Sequence, residues 1–294
     1  MKKYLLILLT SILIGCNSNE ANENSGINGN PQNSARENNE ANDNNASASE
    51  NDTPYNGYEP KDAIEQAYFD AIFDYSTWNS YHSNFTYIEE LKGEDDIPLE
   101  LYTTSRFVIK PYQLHQVYHS IYFRNDNIEV YATEHGAYEN QQYTFWEKVK
   151  DYSIYIMNPI PARTDLYYAL IAGSEGIVED GPSKISFNIA EEKWEALYEK
   201  VQLAYFHNLI NKGTASSDGM EGLLEYPENM EGFYVEMTLE NGKLSTVSIT
   251  ISCNRTDAET VGQLLFHEDY SEVNEFNTIE IPEEVLQEAS KHSE

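Results

Sequence analysis

Basic residues are scarce in this chain of 294 residues. It has 18 Lys and Arg against 50 Asp and Glu, a formal net charge of −32 at neutral pH. A surface this acidic repels nucleic acid and provides no basic patch that could hold the protein to anionic lipids. The composition therefore excludes nucleic acid as a partner, and its simplest physical meaning is solubility outside the cytoplasm.

Cysteine is almost absent as well. The two cysteines are Cys16 and Cys253, and Cys16 follows the short apolar run at the N terminus. The sequence therefore predicts no intramolecular disulfide, so the folded domain must depend on its apolar core. Cys253 ends an alternating apolar run through Val247, Ile249 and Ile251, a pattern that favours a buried structural thiol over a reactive one.

The apolar run at the N terminus is short. Lys2 and Lys3 precede an apolar stretch over residues 4–9 that resumes over residues 12–14. This stretch is too short to cross a bilayer as a helix with ordinary flanks, and it is typical of a signal peptide.

The signal sequence ends in the order Leu13, Ile14, Gly15, Cys16. A small residue before the cut and a cysteine directly after it resemble the lipobox of bacterial lipoproteins. We therefore predict that residues 1–15 are removed, and that Cys16 carries a diacylglyceryl group and palmitate. The lipid would anchor the protein on the extracytoplasmic side of the cell membrane. The alternative is an ordinary secretory signal followed by an incidental cysteine.

The segment after Cys16 has a different composition. Residues 17–51 are rich in Asn, Ser, Glu and Ala and contain no aromatic residue. Such a segment cannot bury enough apolar surface to offset the entropy of ordering it. We predict a disordered tether over residues 16–59 and one folded domain over residues 60–294.

Hydrophobic periodicity predicts an α+β fold. Apolar stripes at helical spacing predict helices from Ala63 to about Tyr75, over Ala162–Ala172 and over Glu191–Asn211, and a closing helical turn over Pro282–Ser290. Alternating runs predict strands over residues 81–91, 101–109, 112–123, 128–133, 142–149, 185–189, 232–239, 244–253, 264–270 and 278–281. Successive strands joined by short turns favour a large, mostly antiparallel sheet with helices packed on one face.

The hairpin around Gly242 allows a prediction of register. A two-residue turn at Asn241-Gly242 would pair Val235 with Ser248, which mixes apolar and polar residues on one face. A three-residue loop that includes Glu240 would pair Val235 with Val247 and keep one face apolar. We therefore predict the longer loop, with Gly242 in the left-handed region.

Several short motifs resemble the LolA-like and LppX-like bacterial lipoproteins, and more closely an uncharacterised branch of surface lipoproteins in low-GC Gram-positive bacteria. The motifs are Ile109-Lys110-Pro111, Ile128-Glu129-Val130-Tyr131 with Tyr138 and Trp146-Glu147-Lys148, and the terminal run Ile279 to Val285. The resemblance spans roughly Lys61 to Ser290. It implies a curved, incomplete antiparallel barrel with helices on its concave face and an apolar cavity for acyl chains. No ligand-specific residue carries over from it.

No motif predicts a catalytic, metal or cofactor site. His115 and His119 have the spacing of a helical zinc pair, but their surroundings alternate as in a strand, which would separate the two side chains by about 13 Å. Ser174 lies between Gly173 and Gly176 but follows a helix instead of the strand of a nucleophile elbow. The adjacent carboxylates at residues 89–90, 95–96 and 283–284 would point to opposite faces of a strand or into solvent. We therefore expect a protein that is not an enzyme.

The sequence is rich in aromatic residues, with 23 Tyr, 11 Phe and 3 Trp. Tyrosine has an apolar ring and a polar tip, so it suits either a half-buried strand or an amphipathic cavity. We predict that an apolar ligand lies between the helix Glu191–Asn211 and the sheet. The expected lining residues are Trp194, Leu197, Tyr198, Val201, Tyr205, Tyr118, Tyr131 and Trp146. Two hypotheses remain open: a carrier or sensor of a lipid-like ligand, or a surface interaction scaffold that holds none.

Overall fold

The computed structural model describes residues 58–91, 99–120, 127–141, 145–150, 152–181, 183–211, 230–253 and 261–292. The predicted signal peptide, Cys16 and the tether up to residue 57 lie outside these ranges. The helices are α1 (Ala63–Ser76), α2 (Ile160–Ala172), α3 (Trp194–Asn211) and α4 (Glu283–Lys291), with 3-10 turns at Ser153–Tyr155 and Glu191–Lys193. The strands are β1 (Ser80–Leu91), β2 (Leu99–Val108), β3 (Gln113–Ser120), β4 (Asn127–Thr133), β5 (Gly136–Gln141), β6 (Trp146–Val149), β7 (Val178–Glu179), β8 (Lys184–Asn188), β9 (Met230–Glu240), β10 (Lys243–Cys253) and β11 (Val261–Ser271).

All the strands belong to one curved antiparallel sheet in the order β6-β5-β4-β3-β2-β1-β11-β10-β9-β8-β7. The first strand pairs with the last one, so β1 lies in the middle, and the edges are formed by β6 and β7. Within the described residues these two edges do not pair with each other, so the sheet is not closed into a barrel. This confirms the predicted α+β fold with a large curved sheet.

Helix α1 begins where its sequence supplies a cap. The side chain of Asp62 accepts hydrogen bonds from the backbone N–H groups of Ile64 and Glu65, which have no partner inside the helix. The stripe that includes Tyr68, Ile72 and Tyr75 is buried against the sheet and α2. The helix therefore forms close to the predicted bounds.

Helices α2 and α3 are in close contact at Gly173, the residue that ends α2. A Cβ atom added there would lie 2.9 Å from Cδ1 of Leu197 in α3. A larger residue would require the Leu197 side chain to move, so the glycine serves close packing as well as helix termination. Cys253 is buried in the same core, as predicted.

Helix α4 lies on the other face of the sheet. In β4 the side chains of Ile128, Val130 and Ala132 pack in the main core, so Tyr131 points to the opposite face. Tyr131 and Trp146 form a second cluster with Val285 and Ala289 of α4. Helices α1 to α3 therefore share the predicted face of the sheet, whereas the expectation that all helices share it is wrong for α4.

Strands β5 and β7 were not predicted, and one predicted strand did not form. Gly136 pairs with Thr133 across a tight turn and begins β5. Residues 278–281 were predicted as a strand, but they have no regular secondary structure. There the backbone N–H of Ile279 donates to the side-chain oxygen of Gln113, 2.6 Å away, instead of to a neighbouring strand.

The hairpin between β9 and β10 keeps one apolar face by a different route from the predicted one. Its turn has two residues, Asn241 and Gly242, both with positive φ (54° and 77°), and Glu240 pairs with Lys243. A bulge between Leu244 and Thr246 then shifts the register, so Val235 pairs with Ile249. The left-handed Gly242 is confirmed, whereas the three-residue loop and its pairing are wrong.

Candidate ligand pocket

A cavity of about 140 Å³ lies between strands β1 to β3 and the helices α2 and α3. The strands contribute Phe85, Leu101, Phe107, Leu114 and Tyr118 to its wall, among others. The opposite wall includes Met157, Ala162, Ala204 and Tyr205. The wall is therefore mostly apolar and aromatic, as in small-molecule sites.

The cavity reaches the protein surface. Leu101, Gln116, Tyr118 and Met157 line it and remain partly exposed. At its helical wall both α2 and α3 present an alanine, Ala162 and Ala204, which leaves room in front of the strands. A ligand could therefore enter without unfolding the domain.

Arg163 forms part of the wall and connects the cavity to a buried carboxylate. It is 8% exposed, and its Nη1 lies 2.6 Å from Oε1 of Glu268 in β11, which is 0% exposed. Two opposite charges are thus paired inside the core, where breaking the pair is costly.

Hydroxyl groups surround the Glu268 carboxylate. Ser83 donates to Oε1, Tyr270 donates to Oε2 at 2.8 Å, and Tyr167 lies 3.4 Å from Oε2. The Tyr167 and Tyr270 hydroxyls are themselves 2.5 Å apart. Because Tyr270 has one proton and gives it to Glu268, Tyr167 is the donor to Tyr270. Ser83 and Tyr270 therefore donate to Glu268 in addition to its ion pair with Arg163.

The same environment shifts the ionisation of nearby groups. Burial raises the pKa of Tyr75 to about 12 and raises the pKa values of Tyr81, Tyr167 and Tyr270 well above the ordinary 10. Burial alone would lower the pKa of Arg163, but the negative charge of Glu268 and neighbouring tyrosines raise it well above its ordinary value. Arg163 therefore stays charged, and the tyrosines stay neutral, near neutral pH.

Only part of the predicted lining set meets at this cavity. Tyr118 and Tyr205 lie in its wall, and the Tyr205 ring stacks on Phe85 with the ring centroids 4.8 Å apart. Leu197, Tyr198 and Val201 lie in the filled core between α3 and the sheet. Trp194 packs at the border of that core, where its indole N–H donates to the backbone oxygen of Ile189 at 2.7 Å.

Tyr131 and Trp146 do not belong to this cavity. They lie in the cluster under α4, on the opposite face of the sheet, so placing them in one cavity with Tyr118 was wrong. A signal for this was present in the sequence, because the apolar alternation of Ile128, Val130 and Ala132 puts Tyr131 on the other face.

Sequence reasoning missed Arg163 and Glu268. Both interrupt an apolar pattern: Glu268 occupies an inward position of the alternating run Leu264, Phe266, Tyr270, and Arg163 lies in the otherwise mostly apolar helix α2. A charged residue at a core position requires a partner, which was the available signal.

The two histidines considered for a metal have other contacts. His115 Nε2 lies 2.8 Å from Glu129 Oε1, and its ring stacks on Tyr131. His119 packs against Tyr102, with the ring centroids 6.4 Å apart. Among the described residues there is no group of three side chains suited to hold a metal ion.

Within the ranges that the structure describes, none of the helices has the length and apolar character needed to cross a bilayer.

Ser174 follows α2 and forms an isolated bridge with Ile189. The helix before it confirms that the context of a nucleophile elbow is missing there.

Comparison with known proteins gives distant structural likenesses. No protein family model matches the chain, and no curated protein matches it. Among solved structures, LprF from Mycobacterium bovis is similar at 12% identity with a TM-score of 0.41, covering 74% of this chain and 95% of that one. A DUF1329 family protein from Desulfovibrio piger is similar at 8% identity with a TM-score of 0.24, covering 74% of this chain and 93% of that one. At these values the likenesses carry no functional argument, and membership of the low-GC Gram-positive branch stays a prediction.

Proposed function

We propose that this protein is a lipoprotein, anchored through Cys16 to the extracytoplasmic side of the cell membrane, that binds a lipid-like ligand in the cavity between β1 to β3 and α2 and α3. The observation that supports binding is the cavity itself. It combines an apolar, largely aromatic wall with three polar side chains, Thr103, Gln116 and Arg163. Binding sites for small molecules commonly combine an apolar wall with a few fixed polar groups. We further propose that the protein is not an enzyme.

The volume of the cavity limits the size of the ligand that it can hold. An apolar cavity of about 150 Å³ accepts a molecule of the size of benzene, and this cavity has about 140 Å³. It therefore suits one short apolar segment. A longer chain would extend beyond it or would require the walls to move.

A fluorescent fatty-acyl probe tests the proposal. We expect cis-parinaric acid or its methyl ester to bind the purified protein saturably. Ala204→Leu would place a larger side chain in the cavity and should weaken binding at least about tenfold, since the probe loses the space. Leu203→Phe changes the neighbouring residue, whose side chain is 48% exposed, and should leave binding unchanged.

Absence of saturable binding of both probes would favour the interaction scaffold. Equal binding by wild type and Ala204→Leu would instead place the probe elsewhere. Mass spectrometry of organic extracts from the purified protein would then identify any molecule that is retained from the cell.

The anchor is tested separately. Radiolabelled palmitate should enter the wild-type protein, and Cys16→Ala should abolish labelling and leave the protein unprocessed or released. A wild-type protein that takes up no label would refute the anchor and leave an ordinary secretory signal as the better interpretation.

A further inference from the structure

Two tyrosine rings in the cavity wall have no aromatic partner in the protein. Tyr112 precedes β3 and Tyr118 lies within it, and both side chains line the cavity. The hydroxyl of Tyr112 donates to the backbone oxygen of Met157 at 3.1 Å, which fixes this ring in the wall. Among the described residues, neither ring is in contact with another aromatic ring. The cavity is therefore bordered by two aromatic surfaces that the protein itself does not pair.

The other aromatic rings of the wall are already paired and held in place. Phe107 stacks on Tyr81 with the ring centroids 4.9 Å apart. Phe85 stacks on Tyr205 with an angle of 10° between the ring planes, and the guanidinium carbon of Arg163 lies 5.3 Å from the centroid of the Tyr205 ring. These rings are fixed before a ligand arrives, so binding would require little ordering of the wall.

The volume of the cavity matches one six-membered ring. An apolar cavity of about 150 Å³ holds benzene, and this cavity has about 140 Å³. A ring in this space would give Tyr112 and Tyr118 the aromatic contacts that they lack, and such contacts stabilise beyond the area that they bury. The thioether of Met157, also in the wall, interacts favourably with aromatic rings. A saturated chain of the same volume would gain the burial alone.

We propose that the cavity binds an aromatic ring, so that the lipid-like ligand is a ring-bearing one whose ring packs against Tyr112 and Tyr118 and whose apolar chain leaves past the partly exposed Met157. This inference rests on the proposed function. It adds the class of ligand, one with an aromatic ring instead of a plain acyl chain, and the end of the ligand that enters.

Three methyl esters that differ at one end test this assignment. Methyl 4-phenylbutanoate, methyl 4-cyclohexylbutanoate and the open-chain methyl decanoate compete with methyl cis-parinarate for the wild-type protein. Each dissociation constant is corrected for the partition of the compound between water and octanol, because the saturated compounds are the more hydrophobic. After this correction the phenyl ester should bind at least about threefold more tightly than the other two, since an aromatic pair contributes about this much beyond burial.

A matched pair of tyrosine variants locates the effect. Tyr118→Leu keeps an apolar side chain in the wall but removes a ring, so the preference for the phenyl ester should fall at least about twofold. Tyr102→Leu is the control. Thr103 lines the cavity, so the neighbouring Tyr102 points to the other face of the sheet, where its hydroxyl donates to Glu100 at 2.7 Å. This variant should leave the preference unchanged.

The outcomes separate the two proposals. Saturable probe binding without a corrected preference for the phenyl ester overturns the ligand class and leaves the proposed function standing. A preference that survives in Tyr118→Leu, or that is lost in Tyr102→Leu, does the same. No saturable binding of either parinaric probe overturns the proposed function and this inference together. Should Tyr118→Leu fail to fold, the series of esters on the wild-type protein decides the question without any variant.

Discussion

One helix, α3, packs against two different kinds of sheet surface. Near its start, Leu197 and Val201 are 4% and 0% exposed in the main hydrophobic core, which also contains inward side chains of β8 to β10. About one turn further along, Ala204 and Tyr205 border the cavity in front of β1 to β3. The same helix therefore packs into the core near its start and forms part of the cavity wall about one turn later.

The residue types of the strands account for this difference. The inward positions of β8 to β10 are branched and apolar, for example Ile185, Val235, Val247 and Ile249, and such side chains interdigitate to high density. The inward positions of β1 to β3 include Ser83, Thr103 and Gln116, whose polar atoms require partners. A sheet region that must satisfy buried polar groups packs less completely, which is where a ligand finds space.

The largest expected effect is on stability, when a leucine of the core, Leu197, is compared with a leucine of the cavity wall, Leu101. Leu197→Ala should lower the free energy of unfolding by about 2 to 5 kcal/mol, because it opens a void in a filled core. Leu101→Ala should cost about 1 kcal/mol, since Leu101 is partly exposed and already borders the cavity. Urea denaturation of both variants measures the difference. Equal losses would mean that the two regions are packed alike.

Replacing one alanine in the core and one in the cavity wall by leucine tests the same difference in packing, because each substitution adds side-chain volume. Ala169 of α2 is buried in the main core, and Ala204 of α3 lines the cavity. Ala169→Leu should cost about 1 to 3 kcal/mol by overpacking, whereas Ala204→Leu should cost less than about 1 kcal/mol because the side chain has space. Thermal melting gives both values. A larger loss in Ala204→Leu than in Ala169→Leu would show that the cavity wall is the more tightly packed region.

The filled region could be predicted from the sequence, because its signals are local. The stripe Leu197, Tyr198 and Val201 follows the helical period, and the alternation in β9 and β10 marks their inner faces. These patterns depend on residues close together in the chain. The apolar alternation was also strong enough to predict one apolar face in the hairpin, even though a bulge at Ser245 supplies it instead of a longer loop.

The pocket could not be located in the same way, because it is set by packing between distant segments. Ala162 and Ala204 are ordinary small helical residues, and they leave a gap only because α2 and α3 both face β1 to β3. Arg163 and Glu268 were recognisable as charges at apolar positions, but their pairing depends on the contact of α2 with β11. Tyr205 was found from the apolar stripe of its helix. Tyr118 was found from the abundance of Tyr in the strands, a compositional argument that placed Tyr131 wrongly.

The smallest expected effect concerns the tyrosines near the ion pair. Tyr81 is fully buried and its hydroxyl lacks a hydrogen-bond partner among the described residues, so Tyr81→Phe removes a poorly placed polar group without opening a void. At pH 8 the free energy of unfolding should therefore stay within about 0.5 kcal/mol of wild type or rise by up to about 1 kcal/mol. A loss above 1 kcal/mol, measured by urea denaturation, would show that the hydroxyl has a stabilising contact.

The buried tyrosines near Arg163 should also make the stability of the protein depend on pH in the alkaline range. A tyrosine whose pKa is raised by folding contributes stability that is complete below its unfolded pKa of about 10 and is lost as the pH rises through its folded pKa, about 12 for Tyr75. Several such groups surround Arg163, so the protein should lose stability from pH 10 to 12 as tyrosinate forms, which absorbance near 295 nm detects. Because Tyr81 also has a raised pKa, Tyr81→Phe removes one of these losses and should move the unfolding midpoint to higher pH, whereas Tyr234→Phe, at an exposed position, should not. An identical alkaline midpoint in wild type and Tyr81→Phe would show that folding does not raise the pKa of Tyr81, and that this hydroxyl contributes nothing to the alkaline loss of stability.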